Sequence, residues 1–208
     1  MFLSQTIFAQ EWHSINTKSE ESYSTRLIKS TNESVVIDLS LNGFYTNQTS
    51  LPNSVIITNE DMAPLSEAGQ PNIPSLSIPI IINDMGKMDV RVSKVEYLEY
   101  NDIEIAPSKG EFPRSINPDD VHHTYGDVYQ QNEFFPATNV KLDSPYILRD
   151  FRAQNIIVTP FAYNPVTKTL RVLHKMTIEV VSKKEEGDNE LARRSNTINM
   201  SSEFHKMY

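Results

Sequence analysis

The chain has 208 residues, a formal net charge of -8 and no cysteine, which suits one packed domain and excludes disulfides, thiolate nucleophiles and cysteine-based zinc sites. Lys and Arg number 19 against 27 Asp and Glu, with no dense basic stretch, so nucleic acid is not expected as a partner. Hydrophobic residues make up 38% of the chain and are mostly β-branched or aromatic, which favours an all-β fold.

The first ten residues, MFLSQTIFAQ, form a short apolar segment with the small residue Ala9 near its end. This pattern resembles the last part of a secretory signal peptide that is cleaved before Gln10, and it predicts export of the chain. We therefore interpret residues 1–10 as a signal-peptide remnant or a frayed terminus. No apolar run reaches the roughly 20 residues that a membrane-spanning helix needs, so we expect a soluble mature chain without membrane contact.

Alternating apolar and polar residues predict a series of strands. In the first of them, residues 35–41, every second residue is apolar, which is typical of a half-buried strand. Similar patterns predict strands at residues 54–59, 76–82 and 88–100. In the last of these the apolar residues change from one face to the other between Val92 and Val95, which indicates a β-bulge.

A turn built on Asn164 and Pro165 separates two further predicted strands, 155–163 and 169–182, and predicts a β-hairpin. One face of the second strand is expected to carry Leu170, Val172, His174, Met176, Ile178 and Val180. Many short strands with turn signals predict an antiparallel, jelly-roll-like β-sandwich over residues 11–182. Residues 183–208 are polar and are expected to form a flexible C-terminal linker or processing segment.

Residues 105–119, IAPSKGEFPRSINPD, are the most distinctive segment. Its three prolines each remove a backbone donor and restrict the residue before them, so we expect an exposed, extended loop rather than a helix or a central strand. The loop carries the basic residue Arg114 in an otherwise acidic protein. From the pattern alone, a solvated connector is the alternative to a binding loop.

Motifs that would indicate catalysis, a cofactor or a metal site are missing from the sequence. None of its six glycines forms a phosphate-binding loop, and no serine stands in a Gly-x-Ser-x-Gly elbow. The adjacent His122 and His123 would point to opposite sides of an extended chain, and Asp119 and Asp120 lack a spaced set of oxygen ligands and are better explained as a capped turn. We therefore predict no catalytic residues, no metal and no cofactor, and we interpret His174 as a core or edge histidine with a backbone hydrogen bond.

Several strings resemble, in order and nearly in register, the N-terminal prodomain of the gingipains, which are secreted bacterial cysteine proteases that cleave after Arg or Lys. These strings are GQPNIP (69–74), IAPSKG (105–110), NPD (117–119), YG (125–126), FFP (134–136), ILRD (147–150) and YNPVTKTLR (163–171). The clear match covers about residues 102–181, whereas residues 11–60 match poorly. Of these strings, YNPVTKTLR is long enough to be specific.

The resemblance implies a non-catalytic β-sandwich prodomain that keeps a cognate cysteine protease latent, assists its folding and is exported, periplasmic to secreted, in a Gram-negative bacterium. The family's inhibitory arginine follows the Ser-Lys-Gly string, which is the position of Arg114 between Pro113 and Ser115. In arginine-specific members this side chain occupies the pocket for the substrate's arginine. Lys109 is the competing candidate, particularly for a partner that prefers lysine.

Other residues leave alternatives open. Arg193 and Arg194 are candidate processing sites or a solvated charge pair, and Arg149, Asp150 and Arg152 are interpreted as a local ion-paired network. The aromatic pair in the FFP string is either a second contact patch or is divided between core and surface. The alternative function is an exported β-sandwich module for adhesion or carbohydrate binding, which exposed aromatic platforms would favour.

Overall fold

The structure is a computed structural model and describes residues 10–192 except 18, 20, 65, 66 and 150. Within these residues the chain forms fourteen strands and two short 3-10 turns, Pro118–Asp120 and Asp127–Gln130. The strands are β1 (Gln10–Ser14), β2 (Tyr23–Ser30), β3 (Ser34–Leu41), β4 (Gly43–Gln48), β5 (Ser54–Thr58), β6 (Ala63–Pro64), β7 (Pro74–Ile81), β8 (Lys87–Tyr100), β9 (Glu104–Ile105), β10 (Val140–Leu142), β11 (Tyr146–Leu148), β12 (Phe151–Val158), β13 (Phe161–Asn164) and β14 (Thr169–Lys183). The described residues include no helix long and apolar enough to cross a bilayer.

These strands form three sheets. The first has the order β1-β4-β5-β9, in which β5 and β9 are parallel. The second has the order β10-β12-β7-β6, with β11 also paired to β12. The third has the order β13-β14-β3-β2, with β8 paired along the other edge of β14. All pairings except that of β5 with β9 are antiparallel in the described chain, and the predicted all-β sandwich is confirmed.

Period-two alternation builds the core. In β3 the predicted inward face is confirmed, because Val35, Ile37, Leu39 and Leu41 are buried while the residues between them are half-buried. On the neighbouring β14, Ile178 and Val180 are two residues apart, lie on the same face and are fully buried. Each fully buried aliphatic side chain contributes about 1.5–3 kcal/mol to folding. This shared inner face therefore fixes the register of β3 against β14, since a one-residue slip would turn it outward.

The predicted bulge in β8 is confirmed, and β14 has a second irregularity that the sequence did not indicate. Ser93 pairs with Thr177 and Glu96 with Lys175, so β8 contains one residue more than β14 in this interval. Just beyond, the extra residue lies on β14, because Tyr97 pairs with Leu173. Leu173 is buried as a result, and the predicted strict alternation through residue 174 is wrong.

The predicted strand 155–163 is two strands in different sheets. β12 belongs to the second sheet and β13 to the third, and the chain crosses between them at Thr159 and Pro160. A proline cannot donate to a ladder, so the pairing is interrupted where it stands. The predicted hairpin is confirmed, since β13 and β14 are antiparallel and joined by the four residues after Asn164. The hairpin therefore belongs to a different sheet from β12.

Residues 185–191, which we call the C-terminal strap, are hydrogen-bonded to the rest of the domain. Lys87 N donates to Glu185 O (2.9 Å), and Leu191 N donates to Asp84 O (2.8 Å). Gly86 N donates to the Glu190 carboxylate (2.8 Å), and Asn189 Nδ2 donates to Pro145 O (2.7 Å). Within the strap, Gly187 N donates to the same Glu190 carboxylate (3.0 Å). The expectation of a flexible segment from residue 183 therefore does not describe the strap. The expected signal remnant at residues 1–9 and the pair Arg193 and Arg194 lie outside the described residues.

The side chain of Arg152 joins the strap to the sandwich. Arg152 is only 1% exposed, and its guanidinium donates to the carbonyl oxygens of Asn83 (2.9 Å), Gly86 (2.7 Å) and Asp188 (2.6 Å). These backbone acceptors were not part of the ion-paired network expected for Arg149, Asp150 and Arg152, of which Asp150 lies outside the described residues. Burial lowers the pKa of Arg152, and the three carbonyl acceptors compensate for the lost hydration of its charge.

Candidate functional site

The loop that follows β9 begins inside the protein. Ala106 and Ser108 are buried, and the chain here runs beside residues 69–72. The Asn72 amide donates to Ala106 O (3.0 Å), the Ser108 amide to Gln70 O (2.7 Å) and the Gly69 amide to Ser108 O (3.0 Å). The expectation of an exposed loop over the whole of residues 105–119 is thus wrong for its first four residues. The exposed part begins at Glu111.

A third segment, residues 123–129, supports the other side of this buried stretch. The His123 ring contacts Pro107 O through Nδ1 at 2.7 Å, and the Tyr129 hydroxyl donates to Ile105 O at 2.8 Å. Burial raises the pKa of Tyr129 well above its ordinary value, so the hydroxyl stays protonated and remains a donor. We call the three connected segments, 69–72, 105–108 and 123–129, the platform.

Two glycines allow the platform segments to approach each other. The Gly126 amide donates to Gly69 O at 3.0 Å. A Cβ at position 126 would lie 2.8 Å from that same oxygen, which is closer than side-chain carbons approach backbone oxygens. Gly69 has a φ of 83°, in the region that glycine adopts without steric cost. The contact between these segments therefore depends on glycine at both positions.

Residues 109–118, which we call the Arg114 loop, project from the platform and are closed at two levels. At the tip, the Ile116 amide donates to Pro113 O at 2.9 Å, so Arg114 and Ser115 are the central residues of a turn. At the base, the Lys109 ammonium donates to Pro118 O at 2.8 Å and joins residues nine positions apart. The rigid Pro113 at the first turn position and these two hydrogen bonds limit the conformations of the loop.

The structure places the predicted site residues in different roles. Pro113, Arg114 and Ser115 are exposed at the turn. Within the part of the chain that the structure describes, the Arg114 guanidinium has no hydrogen bond or ion pair. The half-buried Lys109 instead uses its ammonium within the loop itself. Of the two basic candidates, Arg114 is the one whose charged group is available to a partner.

The remaining candidates have structural roles. The Asn117 side chain accepts a hydrogen bond from the Asp119 amide and caps the 3-10 turn, which confirms the capped turn at Asp119 and Asp120. No group of three or more potential metal ligands occurs among the described residues. The His174 ring lies 3.9 Å from the Glu96 carboxylate, which is too long for a hydrogen bond, and burial lowers the pKa of the ring. The expected backbone hydrogen bond of His174 does not occur among the described residues.

The two phenylalanines of the FFP string are divided between surface and core. Phe135 packs against the core and exchanges two backbone hydrogen bonds of 2.8 Å with Tyr163. The Arg171 guanidinium carbon lies over the Phe134 ring, 4.0 Å from its centroid, and over the Tyr97 ring, 4.6 Å from its centroid. Phe134 is therefore one member of a surface stack, and the divided arrangement is confirmed.

Trp12 also has a structural partner. It is 41% exposed in β1, with its ring centroid 4.6 Å from that of Tyr45. A Cβ on Gly43 would overlap the Trp12 ring, so the indole lies directly over that glycine. An aromatic side chain over a strand glycine supplies the packing that the glycine lacks. This contact gives Trp12, the one tryptophan of the chain, a role in packing.

The β-sandwich with its supported loop is a module of the propeptide class, as the comparisons with known proteins show. The chain matches the family model Propeptide_C25 over residues 16–207 and belongs to that family. It is 34% identical to gingipain R1 of Porphyromonas gingivalis over 186 residues, which cover 88% of this chain and 19% of that protein. It is 37% identical to gingipain R2 of the same species over 150 residues, which cover 72% of this chain and 20% of that protein.

Solved structures give the same relationship. The chain matches a chain of the complex of Porphyromonas gingivalis RgpB pro- and mature domains with a TM-score of 0.77 and 32% identity, over 88% of this chain and 93% of that one. It shares the fold of a structure concerned with zymogenic latency of gingipain K from Porphyromonas gingivalis, with a TM-score of 0.68 and 17% identity over 83% of this chain and 99% of that one. The identification as a gingipain-type propeptide, and not as the catalytic part, is confirmed.

Sequence analysis missed the platform as a unit. The strings GQPNIP, IAPSKG and YG were noted separately as matches, but nothing in one sequence shows that Gly69, Ser108 and Gly126 meet. The usable signal was the presence of a glycine in each of those strings, because a glycine in a loop often marks close backbone approach. Tyr129 and His123 gave no comparable signal.

Proposed function

We propose that this chain keeps a cognate Arg- or Lys-specific cysteine protease latent by docking on its catalytic domain and placing Arg114 in its specificity pocket. The observation that carries the proposal is the position of Arg114 at the tip of a closed turn that projects from the hydrogen-bonded platform. Its guanidinium has no hydrogen-bond or ion-pair partner among the described residues. The family membership and the related complex of pro- and mature domains support the choice of partner. The chain also assists folding of that partner and is exported with it, periplasmic to secreted.

The chemistry of the tip suits a pocket that recognises arginine. A guanidinium presents a planar fork of donors, which can make two parallel charge-assisted hydrogen bonds to one carboxylate. The ammonium of a lysine acts as a point charge and cannot reproduce that geometry. Because Pro113 and the turn already restrict the loop, less conformational entropy is lost when Arg114 enters the pocket.

The geometry supports Arg114 over Lys109 as the inserted residue. Lys109 would have to give up its 2.8 Å hydrogen bond to Pro118 O before its ammonium could enter a partner's cleft. Breaking a hydrogen bond of a charged donor typically costs about 1.5–3 kcal/mol. Arg114 has no such bond to break within the described chain. A partner that prefers lysine would have to offset that cost.

Release of the domain is the second part of the proposal. The pair Arg193 and Arg194 directly follows the last described residue, Ala192, and the C-terminal strap ends only two residues before the pair. Cleavage there by an arginine-specific protease would leave the strap and its contacts with the propeptide. The released domain would then keep its fold while it dissociates.

An inhibition assay tests the proposal. The purified chain is added to an arginine-specific cysteine protease of the gingipain type, and the inhibition constant is measured with a small substrate. Loss of a central anchor typically costs 2 kcal/mol or more, so Arg114→Ala should raise the inhibition constant about 30-fold or more. Arg91→Ala, which removes an exposed arginine from β8, is the matched control and should leave it unchanged. Equal constants for parent and Arg114→Ala would reject the pocket role of Arg114.

A further inference from the structure

We propose that Lys109 is a positioning residue whose hydrogen bond to Pro118 O makes the Arg114 loop an inhibitor rather than a substrate. The inference rests on the proposed function of Arg114. A protease that binds an arginine in its specificity pocket cleaves the peptide bond after it, which here joins Arg114 to Ser115. The loop must therefore occupy the cleft while this bond survives.

The turn protects the Arg114–Ser115 bond first. This bond lies between the two central residues of the turn that the hydrogen bond from Ile116 N to Pro113 O closes at 2.9 Å. A peptide bond reacts quickly only when its carbonyl carbon is aligned with the nucleophile at close range. The closed turn holds the Arg114 carbonyl in a conformation that differs from an extended substrate. The attack is slow as long as the turn stays closed.

Lys109 keeps the turn closed by joining the two ends of the loop. Its ammonium donates at 2.8 Å to the carbonyl oxygen of Pro118, the first residue of the 3-10 turn Pro118–Asp120. On the other side, Gly110 has a φ of 76° and its amide donates to the Ser108 hydroxyl at 3.1 Å, so the first end is fixed to the platform. Without the Lys109 bond, the next contact in the described chain that ties the second end to the platform would be that of His123 with Pro107 O, five residues beyond Pro118.

The same hydrogen bond also slows net cleavage of the loop when the partner's thiolate does attack. The partner's thiolate would attack the Arg114 carbonyl carbon and form a thioester, while the C–N bond breaks and the Ser115 amine leaves with a proton from the partner's general acid. Because Lys109 holds Pro118 at the base of the loop, this amine stays close to the thioester. Attack of the amine on the thioester then reforms the peptide bond, returns the proton to that acid and releases the thiolate, and no water is consumed. Hydrolysis competes only when the amine moves away.

The test uses Lys109→Met, which keeps the length of the side chain but removes its donor, and Lys109→Arg, which retains a donor. Each full chain is incubated with the arginine-specific protease, and cleavage between Arg114 and Ser115 is followed by mass spectrometry together with the inhibition constant. Lys109→Met should be cleaved at least tenfold faster than the parent, with inhibition that fades with time. Lys109→Arg should restore slow cleavage. Lys141→Met, on the exposed side of β10, is the matched control.

The outcomes separate this inference from the proposed function. If Lys109→Met is cleaved as slowly as the parent, or if Lys109→Arg is cleaved as fast as Lys109→Met, Lys109 does not position the loop. The effect of Arg114→Ala on inhibition would still stand in either case. If Arg114→Ala inhibits like the parent, the proposed function fails, whatever Lys109 does. A thermal melt of each variant confirms that the sandwich is intact, and Lys109→Leu, which also lacks a donor, serves as a second variant if Lys109→Met does not fold.

Discussion

Removal of the C-terminal strap should weaken the sandwich although its core strands end before it. A chain that stops after Lys184 loses the Asp188 carbonyl that Arg152 contacts at 2.6 Å, and a hydrogen bond of a charged donor contributes about 1.5–3 kcal/mol. It also loses the backbone bonds from Lys87 N and Leu191 N, which contribute about 1 kcal/mol each. We therefore expect a loss of roughly 3–5 kcal/mol in the free energy of unfolding, a large part of the 5–15 kcal/mol typical of a domain.

The measurement is urea denaturation of two truncated chains, one ending at Lys184 and one at Ala192, followed by circular dichroism. The chain that ends at Ala192 keeps the strap and is the matched control. Arg152→Met in both backgrounds completes a double-mutant cycle, and it should cost less in the shorter chain because one acceptor is already gone. Equal unfolding free energies for the two truncations, within about 1 kcal/mol, would refute the structural role of the strap.

Two further outcomes follow from the platform and from β14. Gly126→Ala places a Cβ 2.8 Å from Gly69 O, so we expect a loss of about 1–3 kcal/mol in the free energy of unfolding. Its inhibition should also be weaker than that of the control variant Thr124→Ala. Inhibition and stability equal to those of Thr124→Ala would contradict the close approach. Burial lowers the pKa of His174 below its ordinary 6.5, while Glu96 raises it and Lys175 lowers it. The unfolded chain therefore binds this proton more readily, and stability is lost as the pH falls through 6.5 and below. His174→Asn should flatten the dependence of the melting temperature on pH between 7.5 and 5, and parallel curves for the two chains would contradict this assignment.

Much of the fold could be predicted because it depends on local alternation. The inward face of β3, the hairpin of β13 and β14 and the bulge in β8 each leave a period or a break in period that is visible in a few residues. The division of residues 155–163 into β12 and β13 was missed, because both halves are apolar and the change of sheet leaves only Pro160 as a signal. The extra residue of β14 at position 174 was missed because the sequence itself keeps a period of two through Val172, His174 and Met176, so the irregularity leaves no break in the pattern.

The site could be predicted in part. Arg114 at an exposed, proline-bounded turn agrees with the expectation from the sequence, but its support by residues 69–72 and 123–129 comes from contacts between distant segments. The burial of Ala106 and Ser108 was missed for the same reason, since prolines indicate irregular backbone but not its depth. The acceptors of Arg152 could not be predicted, because its charged neighbours in sequence suggest ion pairs, whereas its guanidinium donates to three backbone carbonyls from other segments.

The central claim is that the Arg114 guanidinium occupies the specificity pocket of a partner protease. A crystal structure of this chain in complex with an arginine-specific gingipain-type catalytic domain measures that directly. The account predicts the guanidinium within hydrogen-bond distance of a pocket carboxylate, about 2.7–2.9 Å, with the Lys109 bond to Pro118 O retained. An empty pocket with Arg114 in bulk solvent, or a pocket filled by Lys109, would contradict it.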